Sequence, residues 1–560
     1  MLLSNLDLLA TASGGVARLR ELILTLAVQG KLVPQDAADE PASVLLAKIR
    51  AEKERLIEEG EIKRGKPLGG ISEEEKPFGL PVGWQWTRWA DIAMKIGDID
   101  HKMPSETKEG VPYVSPRDFY GANEIDFDGA KKISYSDYVA LASKIRPELG
   151  DLIYPRYGTI GIVRQVTEER EFLASYSCAV IKVLRGYVDP DYQYLFSVSL
   201  CAKVQAVSAT NKTTQPNVGL KSIQEYLFPL PPLTEQFRIV ARVEELMQLC
   251  DALVAKGRLE AAQHARLVST LLATLTDSPN PEALAENWQR VSTHFDLLLD
   301  RPEAVDALEQ TLLQLAVRGL LVPQDPKDEP ASALLQRIRA EKDRLIAEGK
   351  IKPDKPLAAI AAEEKPFALP VGWEWARVGS VGTTQTGGTP ASSNPEYFDG
   401  NFPFIGPGQI SPRGEILPAE KFISERGCLE SSIAQPLDIL MVCIGGSIGK
   451  CAPASFPAAF NQQINAIHPL FVNSEYAFTA MTSSDFVASV ISAATGSATP
   501  IISKGKWDLL LLPIPPLPEQ SRIVARVASL RRVCAGLRQR LAARQATQAQ
   551  LAHALIQKAA

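Results

Sequence analysis

The sequence predicts an α+β fold: two mixed α/β domains with curved sheets, separated by long helices packed as an antiparallel coiled coil and related by an internal pseudo-twofold repeat. Three observations predict it: a duplicated segment, a duplicated proline-rich clasp that closes each copy, and a heptad stripe after each clasp. At 560 residues the chain holds several domains.

The duplicated segment comes first. Residues 26 to 86, beginning LAVQGKLVPQD and ending PVGWQW, align without a gap to residues 315 to 375, with 43 of 61 positions identical. The clasps PLPPLTEQFRIVARVEEL (229–246) and PIPPLPEQSRIVARVASL (513–530) close the copies. The stretches between scarcely resemble each other. The chain divides into an N-terminal helical segment (1–77), a first variable domain (78–232), a central region with a long helix and linker (233–366), a second variable domain (367–516) and a C-terminal long helix (517–560). Two near-identical frames carrying two divergent inserts suit a device that presents two different binding surfaces at a fixed separation. A duplicated enzyme would repeat its catalytic residues.

Within the frame, Leu19, Leu22, Ile23 and Leu26, like Leu308, Leu312 and Leu315, keep helical spacing up to the terminating Gly30 and Gly319. Ala-, Leu-, Glu- and Arg-rich helices follow from near Ser43 and Ser332 to Gly60 and Gly349. After Pro518, Ile523, Val527, Leu530, Cys534, Leu537 and Leu541 step by alternating fours and threes, and the stripe resumes at Leu551 and Leu555. The first copy repeats it at Ile239, Val243, Leu246, Cys250 and Leu253, then at Leu267 and Leu271. Forty residues of helix at ~1.5 Å each make a rod of ~60 Å, a spacer.

The inserts read as strands and turns in DLIYPRYGTIGIVRQV, SCAVIKVL, DILMVCIGG and QINAIHPL, with helices at 190–207 and 474–494.

Composition excludes several classes. A net charge of -5, from 60 Lys and Arg against 65 Asp and Glu, and 45% apolar residues describe an ordinary globular chain. Nothing approaches the ~18 continuous apolar residues of a membrane span, and MLLSNLDLLATASGG lacks the basic start of a secretory signal, so a cytoplasmic protein is expected. Seven cysteines without a C-x-x-C pair read as buried small hydrophobes rather than disulfides or zinc ligands. Asn394-Pro395-Glu396-Tyr397 lacks the second proline of an adenine methyltransferase motif and reads as a turn. Gly445 to Cys451 is one residue short of a P-loop and ends in Cys.

Together LAVQGKLVPQD with EPASxLLxxIRAEK, PVGW, the clasp P-P-L-x-E-Q-x-R-I-V and NWQRVSTHFDLLLDRPEAVDAL resemble the DNA-specificity (S) subunit of Type I restriction-modification systems over nearly the whole chain. GDLIYPRYGTIG with SYSCAVIKV, and TGGTPASSNPEYFDGNFPFIGPGQIS with DILMVCIGGSIGK and NQQINAIHP, are similar to two variants of that family's target recognition domain. Family members often begin directly with a recognition domain; starting on a scaffold helix looks like the circular permutation the family tolerates. The resemblance implies a non-catalytic subunit without a cofactor of its own. Each recognition domain reads half of a bipartite sequence in double-stranded DNA, and the helices set the gap. It further implies two methyltransferase subunits that use S-adenosylmethionine on adenine, and restriction subunits that use ATP and Mg.

Base readout needs donors and acceptors on loops, and phosphate positioning needs Lys or Arg. In the first domain the candidates are Lys131, Lys132, Arg156, Tyr157, Thr159, Asn211, Lys212, Thr213, Thr214, Gln215 and Asn217. In the second they are Thr386, Thr389, Ser392, Ser393, Ser447, Lys450, Asn461, Gln462, Gln463, Ser497, Thr499, Lys504 and Lys506. Turn capping is the competing role, above all for Thr386, Thr389, Asn461 and Gln462. The inserts are close to neutral, with 16 basic and 18 acidic residues over 89–230 and 7 and 10 over 376–515, so counterion release adds little affinity. Trp84, Trp86, Trp373 and Trp375, placed identically in both copies, are expected to anchor each insert on its frame. Glu235, Gln236, Arg238, Glu519, Gln520 and Arg522 belong to the same frame, where they can meet partner subunits. Two other readings stay open: a protein-binding adaptor without DNA contact, and a self-contained DNA methyltransferase.

Overall fold

The computed structural model describes residues 6–100, 103–210, 216–353, 357–496 and 499–559. They form two compact units. One holds the chain up to Glu260 together with the residues from Gln545 onward, and the other runs from Ala261 to Arg544.

The first unit starts with the frame helices Leu6–Thr11, Gly15–Val28 and Ala42–Glu58. Gly30 at φ 68° and Gly60 at φ 79° lie just past the second and third of these, in the left-handed region that favours glycine. The insert is closed by a two-stranded ribbon, Gln85–Arg88 against Leu227–Leu230. Inside it is a four-stranded sheet in the order Ala93–Gly97, Cys178–Val183, Leu152–Pro155, Arg164–Gln165. A three-stranded sheet, Lys131–Ile133, Val111–Val114 and Leu173–Ala174, and a hairpin of Phe119–Tyr120 with Glu124–Ile125 complete it. Trp89 is fully buried and packs edge-on against Phe196 and Tyr154 at 5.2 and 6.2 Å.

The second unit repeats this plan. Frame helices Pro302–Val317 and Ala331–Ala347 lead to the ribbon Glu374–Arg377 with Leu511–Ile514. The four-stranded sheet runs Gly382–Thr386, Ile464–Pro469, Ile439–Val442, Cys451–Pro453. A further four-stranded sheet runs Lys421–Ile423, Phe402–Ile405, Ala458–Phe460, Ser432–Ala434. The central sheets of the two inserts therefore share one strand order although their sequences diverge, while the second sheet gains a strand in the second insert. Each predicted insert helix is two, Pro190–Val198 with Leu200–Ser208 and Ser474–Met481 with Ser484–Ala493. They break where Ser199 and Ser483 cap the second helix of each pair.

The frame grips its insert identically in both units. The Trp84 indole N–H donates to Glu235 at 2.9 Å and that of Trp373 to Glu519 at 3.0 Å. Gln35 and Gln324 donate to the same carboxylates at 3.0 and 3.1 Å. Gln236 and Gln520 accept the Asp189 and Asn473 backbone N–H, each at 2.8 Å, and donate to Pro231 and Pro515 carbonyls. Arg238 pairs with Asp39 at 2.5 Å, and Arg522 with Asp328 at 2.7 Å. Glu235, Gln236, Glu519 and Gln520 are at most 1% exposed. That corrects the expectation of partner contact for these four, whose polar atoms are engaged inside the frame.

The long helices span Leu233–Thr276 and Leu517–Ala559. Their stripes are buried, but against short frame helices: Cys534 joins a cluster with Leu308, Leu312 and Leu315 of Pro302–Val317. Leu267 and Leu551 do not resume the stripe; they are 52% and 53% exposed, and Val268 and Ala552 are buried instead. The buried pairs Cys250 with Val268 and Cys534 with Ala552 lie eighteen residues apart, five turns of an ordinary helix at ~3.6 residues each. A strict heptad repeat drifts by ~20° per heptad against such a helix, which shifts the buried position by one residue.

Candidate nucleic-acid interface

Each four-stranded sheet feeds a glycine-rich loop from one of its middle strands. Leu152–Pro155 leads into Tyr157 to Gly161, with Gly158 and Gly161 at φ 71° and 83°. Ile439–Val442 leads into Ile444 to Gly449, with Gly445 and Gly449 at φ 74° and 87°. Positive φ at both ends lets each loop turn back within a few residues. Thr159 is exposed on the first loop; Ser447 is half-buried on the second.

The base of each loop is pinned twice. Tyr157 bridges Asn217 and Ile444 bridges Ile501. Val218 N–H donates to the Arg156 carbonyl and Ile502 N–H to that of Cys443, each at 2.9 Å. On the other side, Arg156 N–H donates to Ser177 and Cys443 N–H to Gln463, each at 2.8 Å. These acceptors sit in matched turns, Ser175 to Cys178 and Asn461 to Ile464, each closed by a bond from its last N–H to its first carbonyl, at 2.9 and 3.1 Å. Ser175 N–H and Asn461 N–H in turn donate to Val114 and Ile405 at the ends of the adjoining sheets. In each domain, then, a loop and a turn lie side by side on one backbone plan while their side chains differ.

The predicted residues distribute unevenly over this plan. Tyr157 and Asn217 meet in the bridge described above, and Thr159 lies on the same loop. Arg156 is a correction: its guanidinium is buried, paired with the buried Asp98 and donating to Val218 at 3.2 Å. A charge sunk in the domain needs a carboxylate partner, and having it there it cannot reach a base. Lys131 donates to Pro104 at 2.7 Å, and Lys132 lies beside it on the edge strand of the three-stranded sheet. Asn211, Lys212, Thr213, Thr214, Gln215 and Ser497 lie outside the described residues.

In the second domain, Thr386 donates to Asn465 at 2.8 Å, and the exposed Thr389 donates to the exposed Gln462. Asn461 accepts Gln463 N–H at 3.1 Å. Gly387 makes this corner possible, since a Cβ there would lie 2.0 Å from the Asn461 carbonyl. Ser392, Ser393 and Thr499 are exposed, and Lys450 is half-buried next to the glycine loop. Lys504 pairs with Asp508 at 2.7 Å, and Lys506 donates to Ala493 at 3.2 Å, so both brace a local helix.

Sequence reasoning passed over the turn Ser175-Tyr176-Ser177 and the exposed Arg117 and Arg413. Aligning Asp151-Leu-Ile-Tyr with Asp438-Ile-Leu-Met, with one residue of gap before the turns, would have placed the first turn opposite Asn461-Gln462-Gln463. The Ser-Pro-Arg that recurs at 115–117 and 411–413 was the signal for the arginines.

Other chemistry is sparse. Among the described residues no group of three His, Cys, Asp or Glu side chains is placed to hold a metal ion, and no helix is long and apolar enough to cross a membrane. Burial pushes the Cys178 and Cys443 thiols up to about 12 and Cys201 up to about 11, the behaviour of packing residues rather than nucleophiles. Gly445 to Ser447 forms a single 3-10 turn that leads into a strand, not the helix a P-loop needs. Asn394 caps a turn by accepting Glu396 N–H at 3.2 Å.

A family model for the Type I restriction modification DNA specificity domain matches residues 81–263 and 370–543. The chain is 37% identical over 573 residues to the Type I restriction enzyme EcoAI specificity subunit of Escherichia coli, covering 97% of this chain and 93% of that protein. It is 43% identical over 394 residues to the EcoEI specificity subunit of the same species, covering 68% and 64%. A solved structure described as the basis of complex assembly and conformational transition of the type I R-M system aligns with TM-score 0.46 and 20% identity, over 86% of this chain and 99% of that one.

Proposed function

The chain belongs to the Type I restriction-modification DNA specificity family, and from that premise we propose that it is the non-catalytic subunit that reads a bipartite sequence in double-stranded DNA. Residues 78–232 read one half-site and 367–516 the other. Two methyltransferase subunits that carry S-adenosylmethionine modify adenine where this chain directs them, and restriction subunits that use ATP and Mg cleave unmodified DNA. The complex works in the cytoplasm.

One observation carries this reading. Two inserts with the same central-sheet order and matched backbone hydrogen bonds bear different side chains at matched positions of the same loop and turn, Tyr157 against Ile444 and Tyr176 against Gln462. A shared backbone with exchanged side chains suits one docking geometry applied to two sequences. Base edges demand different donors and acceptors, while phosphates demand the same ones. An adaptor without DNA contact would have no use for this pattern.

The long helices are the spacer that sets the gap. The duplicated frame suits two copies of one partner. Arg238 and Arg522, with their carboxylates, remain the frame positions from the sequence set with side-chain surface to meet it. The reading residues are those on the glycine loops and their neighbours, the segment 211–215 included.

Single-molecule methylation sequencing of DNA from cells with and without this chain, its cognate methyltransferase present in both, is the test. A split motif with a fixed gap, methylated only when the chain is present, is the expected result. Methylation that does not depend on the chain overturns the proposal.

A further inference from the structure

We propose that Tyr176 and Ser177 are specificity-determining residues of the first domain, at the positions that Gln462 and Gln463 occupy in the second. The inference rests on the DNA-reading function above and goes beyond it by assigning individual side chains.

The equivalence comes from the backbone. Five hydrogen bonds recur around each turn: from its first N–H to the neighbouring sheet, across the turn, from the strand end to the turn, from the far loop to the strand end, and between the last two strands. With the backbone held this way, Tyr176 and Gln462 both fall at the second position of a four-residue turn, and Ser177 and Gln463 at the third. Gln462 is exposed there, and Tyr176, Ser177 and Gln463 are half-buried.

The chemistry differs where the backbone does not. Gln462 carries an amide whose oxygen accepts from the Thr389 hydroxyl, and its amide nitrogen keeps two donors. That leaves it able to meet a base edge with both a donor and an acceptor, as glutamine does on adenine. Thr389 is then a positioning residue that holds the amide. Tyr176 offers a single hydroxyl at the end of a ring that rests partly on the core, and Ser177 a hydroxyl 2.6 Å from that of Ser175. The two turns thus present different donor and acceptor sets, a hydroxyl against an amide.

The experiment uses the full-length chain with its cognate methyltransferase and single-molecule methylation sequencing. Three variants are read beside the wild type: Tyr176→Phe, which keeps the ring and its packing, Ser177→Ala, and Gln462→Ala at an exposed side chain. The first two are expected to relax preference at one or two adjacent bases of one half-site, by roughly tenfold in relative methylation. Gln462→Ala is expected to do the same in the other half-site, with the gap unchanged in all three. Wild-type preference in all three variants, or an equal loss across both half-sites, overturns the assignment while leaving the specificity role standing. A wild-type chain that directs no split motif brings down both.

Discussion

The His468 ring nitrogen Nδ1 lies 2.6 Å from the Asp438 carboxylate, and the matching positions of the first domain hold Lys182 at 2.8 Å from Asp151. Each aspartate opens the strand that feeds the glycine loop, and each cation comes from the neighbouring strand. The two domains thus fix the same junction with chemically different cations, an ammonium and an imidazole. The hydrogen bond to Asp438 raises the His468 pKa above its usual 6.5. Its ion pair therefore stabilises fully below pH 6.5 and loses its effect as pH rises through the raised value. The side chain is half-exposed, so solvent screening holds the contribution to about 1 kcal/mol or less. Comparing the melting temperatures of wild type and His468→Gln from pH 5.5 to 9 is expected to show a gap that closes toward the alkaline end.

Asp98 and Arg156 make the opposite kind of junction, a buried pair in the first domain only. The matching positions in the second are Thr386 and Cys443. Asp98→Ala leaves an uncompensated guanidinium in the interior and is expected to cost roughly 3–5 kcal/mol in urea unfolding. The double substitution Asp98→Thr with Arg156→Cys copies the second domain and is expected to recover most of that loss. An Asp98→Ala variant as stable as wild type would mean that Arg156 finds its way to solvent, and would return it to the DNA-reading set.

The frame was legible in the sequence because its repeat is nearly identical and each helix ends at a glycine that the chain needs there, such as Gly30 and Gly319. The candidate surface was half legible. Gly158, Gly161, Gly445 and Gly449 announced the loops, but the partner turns are matched through backbone bonds, which leave no mark on side-chain identity. Ser175-Tyr176-Ser177 and Asn461-Gln462-Gln463 share no residue. Arg156 looked like a reader because its partner Asp98 is remote in sequence and only the fold joins them. The heptad stripe failed at Leu267 and Leu551 for a geometric reason: over eighteen residues an ordinary helix and a 3.5-residue repeat part by about 50°, half a residue's rotation and enough to bring the next residue to the buried side.

Glu519 tests the grip of frame on insert. Burial raises its carboxyl above the usual 4.5, so it contributes most in its protonated form, and that contribution is lost as pH rises from 4.5 through the raised value. Glu519→Gln keeps an acceptor for the Trp373 and Gln324 donors without a buried charge. It is expected to match or exceed wild-type stability at pH 7, by about 0–1 kcal/mol. Glu519→Ala leaves both donors unanswered and is expected to cost about 1–3 kcal/mol. Equal losses for the Gln and Ala variants in thermal melts would show that the carboxylate charge, not the acceptor, holds the clasp.

The spacer role makes a quantitative demand. Removing seven residues from the polar middle of each long helix shortens each by ~10 Å and rotates its distal half by only ~20°, so the buried stripes keep facing their frame helices. At ~3.4 Å per base pair that is about three base pairs of duplex. Methylation sequencing of such a variant is expected to return both half-sites unchanged with the gap shortened by about that amount. A gap that stays constant under the seven-residue deletion would remove the ruler role from the helices and place the spacing in the partner subunits.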